Sequence, residues 1–154
     1  MQYMKKNKTK TPTFDPSVRW LEPFYKSAQD LVRGNLRRIK GYRVPLDKEH
    51  RCEAQITHYT EGSKSWYVIS LATHVHKIDK GWKKDSIKIA GYLLRDFAHE
   101  LAHTRHFEHT VKHFALECRI ERRFIRVLKE FKITNTDVKR PLRAAKKKRK
   151  KKSK

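Results

Sequence analysis

The stretch Asp85-Ser-Ile-Lys-Ile-Ala-Gly-Tyr-Leu-Leu-Arg-Asp-Phe-Ala-His-Glu-Leu-Ala-His103 decides the fold. Ile87, Ala90, Leu94, Phe97 and Leu101 recur at three- and four-residue steps, the apolar stripe of an amphipathic helix. Asp85 or Ser86 offers a start cap, and neither Pro nor Gly interrupts after Gly91. Asp96, His99, Glu100 and His103 fall beside the stripe, on a partly buried flank. His99 and His103, four apart, stack one turn above the other and can grip a single ion. Glu100 projects from the same turn as a proton acceptor. The string is thus H-E-x-x-H, two zinc ligands with a general base.

Working outward, Thr104-Arg-His-Phe-Glu-His-Thr110 forms a turn, and Thr110 can cap a second helix. Its expected stripe is Val111, Phe114, Ala115, Cys118, Ile125 and Leu128. His109, at the end of the turn, supplies a third imidazole. Three protein ligands leave a fourth position for water, as catalytic zinc requires. His106 competes for the third place but follows His103 by only three residues and would continue the helix, so His109 is preferred.

The string His99-Glu-Leu-Ala-His-Thr-Arg-His-Phe-Glu-His-Thr-Val-Lys-His-Phe114 resembles the H-E-L-x-H-x-x-x-x-x-H core of the SprT-like and WLM group of small zincin metallopeptidases. The likeness includes Thr110 and Phe114, which follow the third ligand. It covers about residues 85–130 closely and the upstream strands only by order and type. The resemblance implies a minimal zincin domain holding one Zn2+ on His99, His103 and His109, with Glu100 as the catalytic base. Members of this group include proteases that act on proteins held on DNA, so the implied activity is zinc-dependent peptide hydrolysis near nucleic acid. His113 departs from the family pattern and is either a stray fourth nitrogen or solvent-facing. Asp96 is a candidate for orienting a ligand imidazole. Tyr92, Tyr67, His113 and Arg105 are candidates for stabilising an oxyanion. The strand preceding the metal helix is expected to pair with an extended substrate. Two other classes share features. A metallo-endoribonuclease family of rRNA maturation has the same ligand spacing, but carries glycine where this chain has Glu100. A non-catalytic, zinc-containing nucleic-acid-binding protein requires a coordinatively closed metal.

Charge is the second strong signal. The 154 residues hold 39 Lys and Arg against 16 Asp and Glu, a formal net charge of +23. Lys146, Lys147, Lys148, Arg149, Lys150, Lys151 and Lys152 repel one another and bury no apolar surface. They predict a disordered polybasic tail over 134–154 that neutralises phosphates in a salt-dependent way. On the second helix Arg119, Arg122, Arg123, Arg126 and Lys129 are expected away from the stripe as a basic ridge. Such a ridge alone serves equally as a solubilising face. Together with the tail and the Lys-rich amino terminus, it favours DNA or RNA as a partner.

No apolar run is long enough to span a bilayer, and the amino terminus lacks the h-region of a signal peptide. Cys52 and Cys118 form no C-x-x-C, which excludes a cysteine zinc site and disfavours a disulfide framework. A monomer in a reducing, intracellular, cytoplasmic setting is expected, or a nuclear one if the source is eukaryotic.

The expected organisation is a flexible basic arm over 1–16, one domain over 17–133, and the tail. Pro23 starts a helix whose apolar side runs through Phe24, Ala28, Leu31, Val32, Leu36 and Ile39 to a stop at Gly41. Strand patterns follow over 42–46, 54–59 and 66–76, with Glu61-Gly-Ser-Lys64 as a hairpin turn. His74 and His76 share one strand face and are expected as a solvated or hydrogen-bonded pair rather than a second metal site. The fold class is α+β: an amino-terminal helix, a small, mostly antiparallel three-stranded sheet, the H-E-x-x-H helix and a packing helix.

Overall fold

A computed structural model describes residues 11–43, 54–73 and 84–131, except for the side chains of 84–89. The chain runs through β1 (Thr13–Phe14), a 3-10 turn (Pro16–Leu21), α1 (Glu22–Ala28) and a second 3-10 turn (Gln29–Leu31). It continues through β2 (Leu36–Arg43), β3 (Ala54–Glu61), β4 (Lys64–Thr73), α2 (Lys84–His103) and α3 (Val111–Glu130). The described residues are thus α+β, with three α-helices beside a four-stranded mixed sheet of order β1-β2-β4-β3. The 134–154 tail, residues 1–10, Cys52, His74 and His76 lie outside the described residues, as do the side chains of Asp85, Ser86 and Ile87.

The core forms where the helices meet the inner sheet face. Ala90, Leu94, Phe97 and Leu101 of the α2 stripe are fully buried, joined by Leu93, Ala98 and Ala102. Phe124 of α3 meets Phe97 of α2 and Phe24 of α1, each at a ring separation of 5.7 Å, so one aromatic side chain ties the three helices together. Ile69 and Leu71 of β4 and Ile39 of β2 close the core from the sheet side. On the outer face Tyr59 stacks on Trp66, and Arg37 lies over the Trp66 ring at 4.2 Å. No helix among the described residues is long and apolar enough to cross a membrane.

The structure corrects four expectations. The first helix does not continue to Gly41: it gives way after Leu31, Gly34-Asn35 bends the chain, and Leu36–Arg43 is a strand. Leu36 and Ile39, three apart, mimic helical spacing, yet both are buried in β2 because the register shifts between Leu36 and Arg38. That irregularity inserts one residue and returns both side chains to the same face. The sheet is not a three-stranded, mostly antiparallel one. β1 pairs with β2 and β2 with β4 in parallel, leaving only the β3–β4 hairpin antiparallel. Residues 11–16 of the expected arm are ordered into the fold, with Phe14 buried against Tyr25. Finally, α3 is rotated from its expected phase. Val111 is 82% exposed, while His113, Leu116, Glu117, Ile120, Glu121, Phe124 and Leu128 face inward.

Candidate metal centre

The last turn of α2 and the turn after it bring His99, His103 and His109 together. Thr110 accepts a hydrogen bond from the His113 backbone N–H, starting α3 and fixing where the turn ends. The Nε2 atoms of the three imidazoles are mutually 3.1 Å apart. A tetrahedral ion bonded to nitrogen at about 2.0–2.1 Å separates its ligands by about 3.3–3.4 Å, so the three fit one ion with a slight opening of the triangle.

Tautomers sharpen this point. His103 Nδ1 lies 3.1 Å from the His106 carbonyl, which can only accept, so that nitrogen carries the proton. His99 Nδ1 lies 3.2 Å from Glu117 Oε2 and donates to the carboxylate. The Nε2 atoms of His99 and His103 therefore confront each other as two lone pairs at 3.1 Å. Opposed acceptors this close call for a cation between them. Burial, foremost, lowers the His103 pKa, which keeps this ligand neutral and able to donate its lone pair to a metal.

Glu117 is only 1% exposed, on the buried face of α3. The imidazole-orienting carboxylate is therefore Glu117, not the expected Asp96. Asp96 instead lies 3.5 Å from Arg95, and burial, foremost, pushes its pKa up to about 6. His113 is neither solvent-facing nor a fourth member of the triangle. It is 2% exposed, and its Nε2–H donates to the His99 carbonyl at 3.2 Å. His99, His113 and Glu117 also form a possible ligand group with atoms within 4.8 Å. The His99–His103–His109 triangle is the better site, because its nitrogens converge more tightly and His113 Nε2 is already engaged by a backbone carbonyl.

Glu100 is 7% exposed and takes a hydrogen bond from the Ile56 backbone of β3. Burial, foremost, raises its pKa, with Asp96 and Glu117 adding to the rise and His99 opposing it. A carboxylate poised upward in this way is a stronger base. Among the described residues β3 is an outer strand, whereas β4 is enclosed between β2 and β3. The strand available for pairing beside the site is therefore β3, not the expected strand before the metal helix. Tyr67 of β4 stacks on His58 of β3 at 4.7 Å, and Phe107 stands 6.4 Å from both rings and from His103. These rings form an aromatic wall beside the centre. Of the expected oxyanion groups, Tyr67 belongs to that wall and Tyr92 packs beside Arg95. Arg105 reaches the Asp30 carbonyl, and His113 is engaged as described.

Arg119, Arg122, Arg126 and Lys129 are exposed on α3. Arg123 leaves the ridge: it bonds both Asp30 carboxylate oxygens at 3.1 and 3.2 Å and the Ser27 carbonyl at 3.0 Å, clamping α1 and the following turn to α3. Lys146 to Lys152 lie outside the described residues. The roles of Glu117 and His113 were hidden in the sequence because a polar residue in a stripe ordinarily signals an exposed face. Their four-residue spacing between apolar neighbours was the available clue. Comparison with family models, with curated proteins and with solved structures returned no match.

Proposed function

We propose that this chain is a zinc-dependent metallopeptidase of the minimal zincin type, resembling the SprT-like and WLM group, acting on proteins close to nucleic acid. The observation that carries this reading is the convergence of three Nε2 atoms at 3.1 Å beside a buried carboxylate. His99, His103 and His109 would hold the ion, which when bound supplies Lewis acidity to a carbonyl and acidifies water. Glu100 accepts a proton from the attacking water and returns it to the leaving amine. Glu117 and the His106 carbonyl hold two of the imidazoles in the ligating tautomer. The outer edge of β3 orients an extended peptide through backbone hydrogen bonds. The Tyr67–Phe107 wall shields one side of the reacting bond from water.

Exposed arginines on α3 and the formal charge of +23 support nucleic acid as the setting in which the substrate is met. The same charge and ligand spacing favour a metallo-endoribonuclease as the second reading, but Glu100 is the residue that peptide hydrolysis needs. The test uses zinc-loaded protein against casein, a DNA-bound protein and RNA. Glu100→Gln should abolish proteolysis while keeping one zinc per chain. RNA cleavage without proteolysis in the parent overturns the peptidase reading.

A further inference from the structure

We propose that a groove on the far side of the metal turn is a phosphate site that seats a backbone phosphodiester of nucleic acid, with Arg105, Lys112 and Arg119 as its cations. The groove encloses about 460 Å³ between the second 3-10 turn, the turn after α2 and the first two turns of α3. Lys112, Ala115, Leu116 and Arg119 line it at the i, i+3, i+4, i+7 positions of one helical face. Arg105 closes the opposite wall, its guanidinium 3.5 Å from the Asp30 carbonyl. The one acid in the lining, Asp30, has both carboxylate oxygens engaged by Arg123, so its charge is matched from outside the groove. Leu31 and Leu116, each 6% exposed, give the groove an apolar floor, which strengthens attraction between the three cations and an anion.

The continuation of the cations identifies the ligand. Lys112, Arg119 and Arg126 follow at seven-residue steps along one exposed stripe of α3, each step about 10 Å of helix axis. Arg122 lies beside the last step. A single phosphate leaves most of that row unused, whereas a chain of phosphates meets it successively. The groove wall also contains His106, whose carbonyl fixes the His103 tautomer, so a strand seated here runs beside the metal centre.

This inference rests on nucleic acid being the setting of the proposed function. Fluorescence anisotropy with labelled single-stranded and duplex DNA, across a salt series, tests it on the full zinc-loaded chain. Lys112→Gln with Arg119→Gln should weaken binding about 10-fold or more, equally for all sequences, and reduce the salt slope by about 1. Arg105→Gln should act in the same direction, and zinc content should stay at the parent level in each variant. Lys40→Gln with Lys64→Gln removes the same charge from exposed sheet positions and should change binding much less. If the groove and sheet variants lose affinity equally, the groove proposal fails while the nucleic-acid setting stands. If the parent binds no DNA, that setting fails and takes the groove with it. Inorganic phosphate at matched ionic strength should compete only weakly; saturation of the groove by free phosphate with unchanged DNA affinity makes it a small-anion site and overturns the proposal.

Discussion

At the scale of single residues, Glu117 determines what kind of ligand His99 is. A carboxylate facing Nδ1 from a buried position fixes the proton there and makes Nε2 more basic. Glu117→Gln keeps the shape and a hydrogen-bond acceptor but removes the charge. Zinc affinity measured by chelator competition should fall about 10–100-fold with unchanged helicity, and parent-like affinity would contradict the role. His113, on the preceding turn of α3, makes a separate prediction. Burial, foremost, depresses its pKa from 6.5 to about 4. Its stabilising contribution is fully present above 6.5, where neither folded nor unfolded chain holds the proton. As pH falls below 6.5 the unfolded chain takes a proton that the folded chain refuses, and stability is lost until about pH 4. Between pH 7 and 5 the loss should be about 2 kcal/mol in urea titrations of the metal-free protein. A His113→Asn variant should lack that part of the slope, and identical slopes would count against it.

At the scale of elements, legibility followed whether local pattern and tertiary partner agreed. In α2 they agree: Leu94, Phe97 and Leu101 mark the buried stripe, and His99, Glu100 and His103 necessarily lie on its flank. His109 was placed correctly because a turn of fixed length can bring its ring back to the helix end. The hairpin at Gly62-Ser63 was also legible, Gly62 supplying a φ of +59° that other residues resist. β1 was not legible, since two residues carry no period and their pairing with β2 is parallel and non-local. Leu36 and Ile39 misled because an irregular strand can imitate helical spacing. The α3 phase misled because His113, Glu117 and Glu121 are buried polar residues placed there by the site rather than by hydropathy. Gly41 had two readings, as a helix stop or as a point of close approach, and the structure selects the second. A Cβ on Gly41 would overlap Ser17 Oγ and come within 3.1 Å of Val18 Cγ1 and 3.3 Å of Ser17 Cβ. The Ser17 hydroxyl can rotate, but Val18 is fully buried and cannot retreat. Gly41→Ala should therefore cost about 1–3 kcal/mol by denaturant unfolding, through separation of β2 from the first 3-10 turn. A neutral substitution would show that this turn gives way freely.

For the whole molecule, the metal and the fold are expected to share one free energy. Two ligands belong to α2 and the third to the turn that launches α3, so an ion on all three joins the helices at the end where Phe97 and Phe124 do not reach. The unfolded chain keeps no such triangle, and binding therefore favours the folded state by mass action. At free zinc about 100 times the dissociation constant the gain is about 2.7 kcal/mol. For a chain of this length that gain corresponds to a rise in Tm of about 5–10 °C. Calorimetry with zinc and then with chelator should show that difference. Glu100→Gln should keep it, because the carboxylate is no ligand, whereas His109→Ala should lose most of it by opening the bridge between the helices. If zinc-loaded and chelated protein melt together while metal analysis finds one zinc per chain, the ion sits away from the triangle and the metal centre has been misplaced.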